Sequence, residues 1–359
     1  MPLIWAAISG HGFGHAAQVV PVLNALHRLD PDLHVLLRTT VPPSFFKDRL
    51  VPPWDVNPVQ QDVGCVQNGP LKIDVEATWR EHYRFHSSWE ERLQTEIKAM
   101  RAAGPDVVLA DTPYLAVAAG KAAAIPTIAL ISFTWDLVLS EYVAPPSIDS
   151  RTTLQLIRRA YAEADLALRI TPAPKMEIFQ RVIDIGPIAE PAPSAREQLT
   201  EFLGLTPGEQ TVLVGFGGVP LDSLPFNRLE LLTGYRFIFD GSIPPGSRRF
   251  VTATSLPFSF KTLMASVDLI MTKPGYGTLV EAVALQTPII YVRRYNFADE
   301  QPLVDYLHRY GRGVELSMSE FTQGEWRSAL NKILDLPPTI ASPSPTGATE
   351  AAAELKKFL

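Results

Sequence analysis

Apolar runs of strand length alternate with helix-period stretches along most of the 359-residue chain. "LIWAAI" (3–8), "LHVLLR" (33–38), "DVVLA" (106–110) and "TIALIS" (127–132) are continuous and rich in Leu or β-branched residues. Such runs suit strands covered on both faces, as in a parallel sheet. The stretches 15–29, 44–50, 75–103 and 113–123 between them read as helices, and a β-α-β-α order predicts a doubly wound α/β domain. The prolines of "DIGPIAEPAPSAREQL" (184–199) mark a linker, after which the alternation restarts. Strands are expected at 211–216, 235–240, 249–253, 267–272 and 287–292, with helices near 258–265, 276–285, 299–309 and 324–334. A Pro/Ser loop then leads to a last amphipathic helix in "TGATEAAAELKKFL". The expected architecture is α/β: two Rossmann-like doubly wound domains, 1–187 and 188–340, facing a cleft that is the default binding site. Residues 341–359 add a C-terminal helix, for which packing back on the first domain is one arrangement.

Composition narrows the function. A formal charge of -6 and no Lys/Arg run argue against a nucleic-acid binder. The single cysteine, Cys65, excludes an internal disulfide and a multi-cysteine metal site, and fits a reducing cytoplasm. "MPLIWAAISGHG" lacks a basic leader and is too short to span a bilayer, so membrane contact is at most peripheral.

The candidate chemistry lies in three glycine loops. "GHGFGH" (10–15) fails the dinucleotide fingerprint, because His stands at 15 where Gly is required and the second strand ends in "RTT". No P-loop is present either. What remains is His15, at the start of a helix whose field is expected to lower its pKa and keep a neutral base. Asp111, closing a neighbouring strand, is its expected orienting partner; His11 is a weaker candidate. The bland alternative makes His15 an ordinary first-turn residue. The second loop, "VGFGGVP", carries Gly215, Gly217 and Gly218, and the third, "TKPGYGT", carries Lys273, Gly275, Tyr276, Gly277 and Thr278 at a helix start. Amides and dipole at such a start form an anion site suited to a diphosphate. Glu281, a turn further on, is placed to accept from ribose hydroxyls. "RRYNFADEQ" (293–301) opens toward the same cleft, with Asp299, Glu300 and Gln301 either capping a helix or binding sugar hydroxyls. In "FTWDLVLSEYV" (133–143), Trp135 is a candidate to stack on an acceptor and Asp136 to bond its hydroxyls, or the pair covers the core.

Together these motifs resemble the GT-B glycosyltransferases of the MurG-like, peptidoglycan N-acetylglucosaminyltransferase class. The chain is more similar still to the glycosyltransferase-like amino-terminal half of plant L-arabinokinases, through "GHGFGHA", "FTWDLVLSEYV", "GFGG" and "GYGT…EA…VRR…F…E". The resemblance implies a GT-B fold with an N-terminal acceptor domain and a C-terminal sugar-nucleotide domain. It implies a nucleoside-diphosphate sugar as donor, UDP-sugar favoured, with no cofactor and no metal. A small-molecule or lipid-linked hydroxyl is then the acceptor. On this likeness Gly12, Gly14, Gly217, Gly218, Lys273, Gly275, Tyr276, Gly277, Thr278, Glu281, Glu300 and Gln301 are assigned to the nucleotide sugar. His15 and Asp111 are assigned to catalysis, and His11, Trp135 and Asp136 to the acceptor. The second loop lacks the small hydroxyl residue usual in the family. Inverting glycosyl transfer with His15 as base is the first reading; a sugar-nucleotide-binding or sensing module of the same fold is the second. A GT-B-like epimerase would need further acidic groups that the sequence does not assign.

Overall fold

The computed structural model describes the chain apart from residues 218–220, 222–223 and 338. Strands β1 (Leu3–Ile8), β2 (His34–Arg38), β3 (Trp54–Asn57), β4 (Val107–Asp111), β5 (Thr127–Ile131), β6 (Leu166–Ile170) and β7 (Val182–Ile185) form one sheet. Its order is β3-β2-β1-β4-β5-β6-β7, with every pair parallel. Strands β8 (Gln210–Val214), β9 (Tyr235–Phe239), β10 (Phe250–Thr252), β11 (Leu269–Thr272), β12 (Ile289–Tyr291) and β13 (Gly313–Glu315) form the second, also all parallel, in the order β10-β9-β8-β11-β12-β13. The continuous apolar runs are central strands buried on both faces, β4 and β5 along their whole length, as a helix-covered parallel sheet requires. In each sheet the winding reverses beside its first strand, at β1/β4 and at β8/β11, and a crevice opens there beyond the carboxyl ends.

Several elements depart from the expectation. Helix 75–103 breaks at Ser88 into Val75–Ser87 and Trp89–Ala103. The hydroxyls of Ser87 and Ser88 turn back onto the carbonyls of Arg84 and Phe85, offering the backbone a local alternative to continuing the helix. The stretch read as a linker begins in β7 and ends in a helix, Arg196–Leu203. Strands β3, β6, β7 and β13 were not expected; each has five residues or fewer and an exposed or half-buried position interrupts its apolar run.

The domains share apolar packing on one side of the crevice. A single cluster joins Val19, Leu23 and Leu26 of helix Gly14–Leu29, Ala351 and Leu355 of helix Gly347–Leu355, and Leu279 and Val283 of helix Tyr276–Leu285. The last helix thus lies on the first, and Lys356 Nζ reaches Asp30 at 2.6 Å. Among the described residues no helix is long and apolar enough to cross a membrane.

Candidate active site

The parallel register sets Ile8 of β1 beside Asp111 of β4, so the loops that follow both strands meet at the switch point. Gly12 takes a left-handed φ of 80°, which glycine adopts without cost, and its amide folds back on Gly10. That turn starts the helix Gly14–Leu29 and puts His15 in its first turn. His15 Nδ1 donates to Asp111 Oδ1 at 3.2 Å, and both side chains are buried. The Thr112 hydroxyl donates to the same oxygen at 3.2 Å. Thr112 itself has a φ of 73°, a strained position for a β-branched residue. Tyr161 holds it there, its OH donating to the Thr112 carbonyl at 2.7 Å while accepting from Trp135 N at 3.3 Å. Among the described residues, His15 Nε2 has no hydrogen-bond partner.

The expected lowering of the His15 pKa is overturned. Burial does pull it down, but Asp111, then Asp62 and Asp299, outweigh burial and raise it above the ordinary histidine value. The helix field falls off within one turn and is weaker than a carboxylate at contact distance.

One wall comes from a segment with no sequence periodicity, residues 61–67. Gln67 Nε2 donates to His11 Nε2 at 3.0 Å. Gly64 lies so close to the His11 ring that a Cβ on it would stand 2.1 Å from Nδ1. Burial, with His15 next, pulls His11 down to about 3, so this imidazole is neutral. Asp62 accepts from Trp135 Nε1 at 2.7 Å. The acceptor role expected of Trp135 does not fit this arrangement. Trp135 is 0% exposed, its ring perpendicular to those of His11 and Phe133, and has no free face for a sugar. Asp136 is buried and paired through Oδ2 with Arg158 Nε at 3.0 Å, while its Oδ1 has no partner among the described residues.

The opposite wall belongs to the second domain. Gly275 precedes the helix Tyr276–Leu285 with no side-chain cap, and the space in front of Gly277 is open. The first-turn amides of Gly277 and Thr278 therefore point outward with no intrahelical partner. Lys273 Nζ donates to the Phe216 carbonyl at 2.7 Å and lies about 4.0 Å from where a Cβ on Gly217 would be. Burial, then the Arg294 guanidinium, brings Lys273 down to about 8. Gly218 lies outside the described residues. Glu281 pairs with Lys261 at 2.8 Å, and burial raises its carboxyl.

Three residues assigned to the nucleotide sugar have other engagements. Tyr276 OH donates to the Thr171 carbonyl at 2.8 Å and accepts from Ile188 N at 3.0 Å, which ties the helix start to the first domain. Glu300 is wholly buried and braces its own loop, accepting from Arg294 Nε at 2.6 Å and from Tyr295 N at 3.1 Å. Gln301 accepts from Arg293 at 3.0 Å. The acid of this segment with a free oxygen is Asp299. It is buried, Oδ1 has no partner, and burial raises it to about 7 against the pull of Arg294. Asp299 acts electrostatically on His15, and Lys273 and Arg294 on His11. The two walls thus face each other across the crevice.

Sequence reading missed Asp62 and Gln67 as site residues; Arg294 reads there as a phosphate charge or a solvated strand end, and the structure instead pairs it with Glu300. Residues 61–67 carry no local signal, since tertiary packing alone brings them to His11.

No family model matches the chain. It is 28% identical over 339 residues to the L-arabinokinase of Arabidopsis thaliana, a match covering 92% of this chain and 32% of that protein. The chain thus spans about a third of the length of the curated relative it matches. Among solved structures it superposes on the calicheamicin glycosyltransferase CalG4 with a TM-score of 0.63 at 15% identity, over 99% of this chain and 94% of the other. It matches Medicago truncatula UGT71G1 complexed with UDP-glucose at 0.60 and 13% identity, over 99% and 93%. Arabidopsis thaliana UGT89C1 complexed with quercetin follows at 0.62 and 13%, again over 99% and 93%.

Proposed function

With the GT-B fold as premise, we propose that the chain transfers a sugar from a nucleoside-diphosphate sugar, a UDP-sugar foremost, to an acceptor hydroxyl with inversion. The observation that carries this is the buried His15–Asp111 pair, 3.2 Å apart at the switch point of one domain, opposite an uncapped helix start in the other. The acceptor oxygen attacks the anomeric carbon from the His15 side. Its bond to that carbon forms as the bond from carbon to diphosphate oxygen breaks, and its proton passes to His15 Nε2. Asp111 keeps the other proton on Nδ1, so that Nε2 carries the lone pair, and stabilises the imidazolium as it forms. The departing nucleoside diphosphate takes its charge to the amides of Gly277 and Thr278 and to Lys273. Those groups supply positive field without a metal.

A carboxylate that raises the His15 pKa also makes it a stronger base once deprotonated, so the acid limb of the reaction should lie above that of an ordinary histidine. The buried lone thiol of Cys65 suits a reducing compartment, which we take to be the cytoplasm. The same raised pKa favours a second reading, a nucleotide-sugar-binding module in which a charged His15 only helps hold the ligand. Calorimetric titration with UDP, GDP and their sugars, run beside a nucleotide-release assay, separates the two. Binding with release to some acceptor supports transfer, and binding without it supports the module.

A further inference from the structure

The polar groups around His15 carry the reading one step further, and this step rests on the transferase assignment. Gln18 follows His15 by three residues on one helix, so the two share a face. It is 5% exposed, and its Oε1 has no partner among the described residues. Gln61, 2% exposed, has neither amide atom hydrogen-bonded. Its neighbour Asp62 bonds Trp135 and acts electrostatically on both His15 and Asp111. Gln67 Oε1, Asp111 Oδ2 and Thr134 Oγ1 are likewise buried without partners. A buried polar group left unpaired costs about 1–3 kcal/mol, and such groups in a folded protein ask for an explanation. Gln18, three residues on from His15, and Asp111, bonded to it, leave oxygens that the fold does not use, and Gln61 adds a whole amide beside Asp62.

Most aromatic rings of the same region are already enclosed, while Phe13 of the opening loop stays 44% exposed and stacks on Phe45. Trp135 has no exposed face, and Phe133 packs edge-on against Trp135 and against Phe297 of the other domain. Of the rings named here, only Phe13 leaves surface for a flat aromatic acceptor. A ligand with adjacent hydroxyls would find carboxamides, each offering both a donor and an acceptor.

We infer that the acceptor is a small polyol, a free or simply substituted sugar, recognised by the carboxamides of Gln18 and Gln61 next to His15. A site built to hydrogen-bond a hydroxyl discriminates strongly against ligands that lack it.

The test is saturation-transfer NMR and calorimetry on the full chain with D-glucose, D-xylose and myo-inositol as polyol probes and quercetin as the flat probe. Wild type, Gln18→Leu and Gln61→Leu are compared, with Gln61→Asn as a milder variant that keeps the amide. At least one polyol should bind the wild type and lose about tenfold in affinity with each leucine substitution, less with asparagine. Quercetin should neither bind there nor displace it. Binding of none of the three polyols, quercetin taking the site, or polyol affinity unmoved by both leucine variants would each overturn the inference. UDP titration of the same proteins is an independent arm. UDP affinity retained in the variants shows them folded, and failure of the wild type to bind any nucleotide or nucleotide sugar would sink the transferase reading, whatever the polyols do.

Discussion

Replacing Asp111 by asparagine removes one charge from a buried pair and leaves its shape almost unchanged. At 3.2 Å, a full positive and a full negative charge attract by about 5 kcal/mol at an effective dielectric of about 20. That attraction, together with the hydrogen bond, is what overcomes burial and raises the His15 pKa. In Asp111→Asn the burial contribution is left dominant, so His15 becomes harder to protonate. The acid limb of the kcat/KM profile for sugar transfer should therefore move to lower pH. Turnover at the plateau should fall as well, because the asparagine amide no longer selects the tautomer with its lone pair on Nε2. A general base contributes about 10²–10⁴-fold, and a misoriented one should forfeit a large part of it. The assay is nucleotide release from UDP-glucose in the presence of acceptor between pH 5 and 9, with UDP affinity measured alongside. An acid limb that stays in place with undiminished turnover would refute the claim that Asp111 sets the state of His15.

Three other substitutions probe the frame around the site. Asp299 is raised from 3.8 to about 7, a difference worth about 4 kcal/mol at about 1.36 kcal/mol per unit. The folded state holds that proton more tightly, so the contribution of Asp299 is full below about pH 4 and lost as pH rises toward 7. Asp299→Asn should accordingly raise stability in urea at pH 8, by up to about 4 kcal/mol, and change it little at pH 4; equal effects at both would contradict this. Tyr276→Phe orphans the Ile188 amide and the Thr171 carbonyl and should cost about 1–3 kcal/mol of unfolding free energy. UDP affinity should persist in that variant; its loss without loss of stability would return Tyr276 to the nucleotide site. Glu96→Gln strips the partner from buried Arg38 and should destabilise by about 3–5 kcal/mol in urea unfolding, with a negligible change counting against a structural role for the pair.

The fold was legible because its signals are local. Leu269–Thr272 and Tyr276–Leu285 carry an apolar strand, two glycines and a helix period in sequence, and they fold as that order dictates. The pairing of two open α/β sheets follows from the alternation before and after residues 184–199. Side-chain commitments were not legible, because they are settled by partners distant in sequence. Tyr276 reads as a ligand contact until Thr171 and Ile188 arrive at its hydroxyl. Trp135 reads as a sugar platform until residues 62 and 161 enclose it. "DEQ" at 299–301 reads as three equivalent caps, yet Arg294 claims Glu300, Arg293 claims Gln301, and Asp299 keeps an oxygen unpartnered. Position in a motif brought these residues to the crevice without saying which atoms remain available.

The most direct test of the central claim is release of UDP from UDP-glucose by wild type and His15→Ala, at equal nucleotide saturation and across the polyol panel. The account predicts release by the wild type that depends on an added polyol, and a loss of about 10²–10⁴-fold in His15→Ala with UDP affinity unchanged. Equal release by both proteins, or none by the wild type under conditions where UDP-glucose binds, would contradict it.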